Sequence, residues 1–143
     1  MMLGYVDSEL DAHAFDADGY FRTGDLGTID GAGFVRITGR LKDIIIRKGE
    51  NISAKEIEDL LFTHPGIADV AVIGLPDEER GERVCAVVVA ADGGKPVEFV
   101  EVVEFLRGAG LMVQKLPEQV EVVDVLPRNP TGKVIKRDLV ARF

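Results

Sequence analysis

Residues 39–58 read Gly39-Arg40-Leu41-Lys42-Asp43-Ile44-Ile45-Ile46-Arg47-Lys48-Gly49-Glu50-Asn51-Ile52-Ser53-Ala54-Lys55-Glu56-Ile57-Glu58. The chain changes character within this stretch. Gly39 to Asp43 is a charged junction. Asp43 to Lys48 is a short apolar run with polar ends, which predicts a strand. Lys48-Gly49-Glu50-Asn51 reads first as a hairpin turn, and Gly49 also lets a backbone approach a ligand closely. Ser53, with Glu56 three residues on, has the form of a capping box with Ser53 at the N-cap. The helix that follows puts Ile57, Leu60 and Leu61 on one face and stops before Pro65.

Upstream, residues 1–41 are rich in Gly and Asp. Asp18-Gly19, Asp30-Gly31 and Gly33 are turn signals. Between them lie two extended runs, Tyr20 to Arg22 and Phe34 to Thr38. This predicts a short antiparallel β-meander, too small to stand as a domain. Downstream, Ile67 to Leu75 and Arg83 to Ala91 read as strands joined by the acidic loop Pro76 to Glu82. Pro96 to Arg107 reads as a second helix, with Pro96 near its first turn and Gly108 as its C-cap. Glu118 to Leu126 reads as a strand, Pro127 to Lys133 as a loop, and Val134 to Phe143 as a terminal helix. From Lys42 onward the expected order is βαββαβα. That is an α+β domain, with helices packed on a small, mostly antiparallel sheet.

Composition limits the function. A hydrophobic fraction of 46% and a charged fraction of 29% describe an ordinary globular chain. A net charge of -8 argues against nucleic acid as the main partner, because phosphate neutralisation needs clustered Lys and Arg. No apolar run reaches the roughly 18 residues of a membrane span. The start of the chain lacks a basic n-region and an apolar h-region. The one cysteine, Cys85, lies in an apolar run and reads as a buried, inert thiol, which fits a reducing cytoplasm. His13 and His64 have no metal-like spacing and read as structural or surface residues.

Three loops carry possible chemistry. Tyr20-Phe21-Arg22-Thr23-Gly24-Asp25-Leu26-Gly27 holds a carboxylate in a Gly-containing turn, suited to accept hydrogen bonds from two adjacent sugar hydroxyls. A turn Asp that bonds its own backbone has the same pattern. The second loop is Gly39 to Asp43 with Lys48 to Asn51. The third is Leu126-Pro127-Arg128-Asn129-Pro130-Thr131-Gly132-Lys133-Val134. Its prolines stiffen it and present Lys133 at a defined place, where an ammonium group can neutralise a transferring or departing phosphate. A solvated surface lysine has the same local sequence. The loop is not a Walker A motif, since Pro127 and Val134 stand where that pattern needs Gly and Ser or Thr. Gly108-Ala109-Gly110 follows a helix rather than a strand and lacks a third Gly, so it is no dinucleotide fingerprint.

Taken in order, these loops resemble the last core motifs of the adenylate-forming superfamily, which comprises acyl-CoA synthetases, carrier-protein adenylation domains and luciferases. Leu3-Gly4-Tyr5 resembles the stretch just upstream of them. Gly19 to Gly27 resembles the Tyr-Arg-Thr-Gly-Asp motif, residues 39–58 the hinge motif, and Pro127 to Lys133 the final lysine motif. The resemblance covers nearly the whole chain and implies the C-terminal portion of an ATP-dependent, AMP-forming acyl-CoA (fatty-acid) ligase.

That resemblance implies a boundary. Residues 1–41 would end a large N-terminal domain, and residues 42–143 would form a mobile C-terminal domain that rotates between two half-reactions. By residue identity, Asp25 resembles the aspartate that binds the adenylate ribose, and Arg40 the arginine on the same nucleotide. Lys42 falls at the hinge position. Gly49 resembles the glycine whose backbone lines the CoA pantetheine tunnel. Lys133 resembles the catalytic lysine of the first half-reaction. Implied small molecules are a carboxylic acid, ATP and CoA. Magnesium is implied with ATP, held mainly by the large domain, with no metal ligands assigned here. The phosphate-binding loop, the aromatic-Gly-x-Thr-Glu motif and the acyl pocket would also lie in that domain. The expected chain is therefore a fragment, inactive alone, that packs on its own large domain. Two rival readings stand beside this one: an adenylation enzyme that serves a carrier protein, and a free-standing nucleotide-binding or docking module.

Overall fold

The computed structural model describes residues 4–91 and 97–143. Pro96, the expected first-turn proline, and Leu3 lie outside the described residues. The elements are α1 (Asp11–Ala14), β1 (Asp25–Ile29), β2 (Val35–Arg40), β3 (Ile44–Arg47), β4 (Glu50–Ser53), α2 (Ala54–Leu61), β5 (Ile67–Asp77), β6 (Gly81–Ala90), α3 (Phe99–Gly108), β7 (Gln119–Val122) and α4 (Lys136–Arg142). The architecture is α+β, as its alternating patterns predicted.

β5 and β6 form the spine, a long antiparallel pair that runs from Ile67 opposite Ala90 to Asp77 opposite Gly81. Both read as unbroken apolar runs because both faces of the pair are covered. Successive strand residues point to opposite faces. Val70, Val72, Val84, Ala86 and Val88 therefore face one core with Ile57 and Leu61 of α2 and Val102 and Leu106 of α3. Ala71, Ile73, Leu75, Cys85 and Val87 face a second core with Leu126 and Leu139 of α4. The β5–β6 connection is shorter than the expected 76–82 loop, because pairing continues through Pro76 and Glu82.

β1 and β2 pair antiparallel in a separate two-stranded sheet. The meander's strands are placed differently from the expectation. Residues 25–29, of which Asp25 to Gly27 belong to an expected loop, are the strand that pairs with β2, whereas Phe21 makes only an isolated bridge to Phe15. The turn signals act through side chains. Asp30 Oδ1 accepts from the N–H groups of Ala32 and Phe34, and Asp16 Oδ1 from those of Asp18 and Tyr20.

The hairpin reading of Lys48-Gly49 is borne out. It joins β3 to β4, a strand the sequence reading did not include. Lys48 has φ 51° and Gly49 φ 82°. Two consecutive left-handed residues match the twist of a two-residue hairpin.

Three further expectations are corrected. Ser53 is the N-cap of α2, but its side chain makes no cap bond. Its hydroxyl donates instead to the Thr38 carbonyl at 3.0 Å, and Glu56 accepts from Lys115. Tertiary partners have taken both halves of the capping box. Gly108 is the last residue of α3 rather than its cap; the left-handed residue beyond the helix is Gly110, at φ 86°. The strand expected over 118–126 is four residues long and runs parallel to β6, because the chain beyond Val122 turns away to place Val123 and Leu126 in the second core. No helix among the described residues is long and apolar enough to cross a membrane.

Candidate functional site

β1 and β2 set the first part of the site. Their register places Asp25, the first residue of β1, opposite Arg40, the last of β2. Arg40 Nε donates to Asp25 Oδ1 at 2.6 Å. This contact holds the Asp25 carboxyl below its ordinary value of 3.8, and the charge of Lys133 acts in the same direction. Asp25 is therefore an anion at neutral pH, and its second oxygen is not bonded to Arg40. The Leu41 N–H donates to the Gly24 carbonyl at 2.9 Å, which ties the junction to the motif around Asp25.

The 127–133 loop supplies the second part. Asn129 Oδ1 accepts from the backbone N–H groups of Thr131, at 3.1 Å, and Lys133, at 2.9 Å, and from the Thr131 hydroxyl at 2.8 Å. An isolated bridge between Arg128 and Val134 closes its base. Lys133 thus leaves the loop from a backbone fixed at its own N–H.

Between these two parts lies a cleft of about 910 Å³. Its cations are Arg40, Lys42, Arg128, Lys133, Lys136 and Arg137, and they outnumber the carboxylates Asp43, Glu58 and Asp69. In a chain of net charge -8, positive charge is concentrated here. Several of these cations are already engaged. Lys136 Nζ lies 2.8 Å from Glu58 Oε1, and the same oxygen accepts the Val72 N–H at 2.8 Å. Arg128 pairs with Asp69. Among the described residues, Lys42 and Lys133 make no ion pair. An open, cation-lined cleft beside an ionised, Arg-buttressed aspartate can take a phosphorylated, hydroxyl-bearing ligand.

The structure thus brings Arg40, Lys42 and Lys133 to one cleft, and Asp25 is tied to its wall through Arg40 rather than lining it. Gly49 is not part of it, and stands at the tip of the β3–β4 hairpin with open space where a Cβ would be. Asp69, Arg128, Glu58 and Lys136 also line the cleft, and the motif reading assigned them nothing. A signal existed for two of them. Asp69 is a lone carboxylate in the apolar run Ile67 to Leu75, and Arg128 sits inside the lysine loop. His64 is buried, accepts the Gly66 N–H at its Nδ1, and packs edge-on against Phe105, as a structural histidine does. Among the described residues no group of His, Cys, Asp or Glu is clustered to hold a metal ion.

The class defined by this fold and cleft is a small α+β domain that meets a β-hairpin across a nucleotide-sized, cationic site. Residues 56–133 match the family described as the AMP-binding enzyme C-terminal domain, and the chain belongs to that family of adenylate-forming enzymes. It is 42% identical to the medium-chain fatty-acid–CoA ligase of Escherichia coli (strain K12), over all of this chain and 26% of that protein. It is 41% identical to the salicyl-AMP ligase / salicyl-S-ArCP synthetase of Mycobacterium tuberculosis (strain ATCC 25618 / H37Rv), over 98% of this chain and 25% of that protein. The crystal structure of ATP-bound MatB from Rhodopseudomonas palustris superposes with a TM-score of 0.85 at 42% identity, over 96% of this chain and 27% of that one. The chain spans about a quarter of the length of the curated relatives it matches.

Proposed function

We propose that this chain is the C-terminal part of an ATP-dependent, AMP-forming acyl-CoA ligase, with residues 42–143 as its mobile domain. The single observation that carries the reading is the meeting of three separate segments: Arg40 and Lys133 line one cleft, and Asp25 is bonded to Arg40 and feels the charge of Lys133. In the first half-reaction a carboxylate oxygen attacks the α-phosphorus of ATP, and pyrophosphate leaves. Asp25 accepts hydrogen bonds from the ribose hydroxyls. Arg40 holds Asp25 in place and contacts the same nucleotide. Lys133 places its ammonium beside the oxygens that gain negative charge, and that stabilisation is strongest where water is excluded. In the second half-reaction the CoA thiol sulfur attacks the acyl carbonyl carbon and AMP departs. Lys42 is the hinge, and Gly49 then lines the pantetheine path.

Several features support this division of the chain. The β1–β2 hairpin is a sheet of its own, and a lone hairpin is marginally stable in water. Ile29, Phe34, Val35 and Ile37 on it are exposed, as expected of residues that further chain would cover. A short 3-10 turn, Leu41–Asp43, follows it directly. The likeness to a ligase whose name includes a carrier protein supports a second acceptor, a carrier thiol, for the same chemistry.

ATP–pyrophosphate exchange over a panel of carboxylic acids tests the reading, with the polypeptide that carries this chain together with a large domain. Lys133→Ala is expected to lower exchange by on the order of 10²- to 10³-fold. It should leave thioester formation from a supplied acyl-adenylate nearly intact. A Lys133→Ala enzyme that exchanges normally refutes the assignment. CoA and carrier proteins compared as acceptors separate the two thiol readings.

A further inference from the structure

The position of Lys133 is set by a chain of contacts that begins in the core sheet. The β5–β6 register shifts between Ile67 and Asp69, so Ala68 is the extra residue of a bulge. Bulges re-aim the side chain beside them. Asp69, half-buried at the end of the spine strand, is fixed through both carboxylate oxygens. Oδ1 accepts the Val70 N–H at 3.0 Å, and Oδ2 accepts from Arg128 Nη2 at 2.5 Å. The guanidinium continues the chain, since Arg128 Nη1 donates to the Gly132 carbonyl at 2.5 Å. Gly132 is the residue before Lys133. The peptide unit that carries the lysine is therefore held on one side by Arg128, through the Gly132 carbonyl, and on the other by Asn129 Oδ1, through the Lys133 N–H.

We propose that Asp69 and Arg128 are positioning residues for Lys133, fixing its loop to the β5 bulge for the adenylation step. Two observations favour positioning over direct contact with phosphate. Each outer nitrogen of Arg128 already donates one hydrogen bond, to Asp69 and to the Gly132 carbonyl, which turns the guanidinium toward its own loop. The pair is also partly solvent-exposed, with side chains at 41% and 24%, where an ion pair adds little to stability. Its planar, two-ended geometry instead restricts the loop, which a lysine at position 128 could not do. A flexible ammonium stem on a loosened loop loses alignment, and misalignment of a catalytic group by about 1 Å costs on the order of 10²-fold.

This inference rests on the reading of Lys133 given above, and the test keeps the two apart. Asp69→Asn, Arg128→Gln, the double variant and Lys133→Ala are made in the polypeptide that includes a large domain. ATP–pyrophosphate exchange and thioester formation from a supplied acyl-adenylate are measured for each, with thermal unfolding alongside. Asp69→Asn and Arg128→Gln should each lower exchange by roughly 10- to 100-fold and spare thioester formation. The double variant should be no worse than the worse single, because both act through one lysine. In a Lys133→Ala background, Asp69→Asn should change the residual exchange less than about twofold. Normal exchange by Asp69→Asn, with Lys133→Ala inactive, overturns the positioning role alone. So does a loss confined to Arg128→Gln, which would mean direct contact with the nucleotide, and so does an equal fall in both half-reactions. Normal exchange by Lys133→Ala removes the underlying reading and this one with it. If Asp69→Asn does not fold, Asn129→Ala tests the same peptide unit from its other side, with the same split between half-reactions expected.

Discussion

Asp25 and Arg40 are fifteen residues apart in sequence and meet only because antiparallel pairing sets them opposite one another. The sequence named each as a candidate but had no means to join them, since the register depends on a bulge between Leu26 and Gly27. Lys133 is a similar case. Its loop was readable from Pro127, Pro130 and Gly132, while the Asp69 that anchors it lies far upstream in a strand. Cys85 was fully legible, because an apolar run on a doubly covered strand leaves a thiol no exit. Burial pushes its pKa up to about 12, so at neutral pH it is a neutral thiol with no nucleophilic character. Folded protein at pH 8 should therefore react with a disulfide reagent only at the rate of unfolding; fast labelling without unfolding would contradict the burial. The sign of the linkage is also fixed. The native state binds this proton more tightly than the unfolded chain. The contribution of Cys85 is thus complete below an unfolded value near 9.0 and declines as pH rises toward about 12.

Elements were legible where period and length agreed. β5 and β6 showed as continuous apolar runs, and α2 as a helix with one buried face, because burial alone decides those patterns. Their boundaries were less legible, since termini answer to partners distant in sequence. Ser53 and Glu56 have the right spacing for a capping box, yet Thr38 and Lys115 take their side chains. β4 was missed because Asn51 and Ser53 favour turns, and only its pairing with Ile44 to Ile46 makes it a strand. The end of α3 gives the sharpest check on such a boundary. Gly108 is helical and exposed, with open space around its missing Cβ. Gly110 has the same open space but φ 86°. Gly108→Ala should stabilise by roughly 0.5–1 kcal/mol, because glycine is a poor helix residue. Gly110→Ala should destabilise by about 1 kcal/mol, because an L side chain disfavours the left-handed region. Urea unfolding of the two variants distinguishes them by sign. If Gly108→Ala were the destabilising one, the helix would end two residues earlier than described.

At the scale of the molecule, the proposed reaction asks one small domain to offer two faces in turn. Lys133 lies in the cleft against the β1–β2 hairpin, and Gly49 lies outside that cleft at the tip of β3–β4. On the proposed reading, the arrangement described is that of the first half-reaction, with the Lys133 face turned to Asp25 and Arg40. A second orientation about Lys42 would bring the β3–β4 tip to the active site. Substitution at Gly49 tests this if backbone strain is separated from bulk. At φ 82° any L residue is strained, so Gly49→Ala and Gly49→Leu share the cost of distorting the hairpin, about 1 kcal/mol. The Cβ that both variants add meets nothing within 4 Å. The two variants differ only in what leucine adds beyond that atom, and this matters only when another surface closes on the tip. Gly49→Leu should thus lower CoA thioester formation by on the order of tenfold or more relative to Gly49→Ala, through misplacement of the reacting thiol. Both should support ATP–pyrophosphate exchange at nearly the wild-type rate. If Gly49→Leu matched Gly49→Ala in thioester formation, the hairpin tip would not approach the acceptor. If it impaired exchange as strongly as thioester formation, the two faces would not be used separately, and rotation about Lys42 would lose its main support.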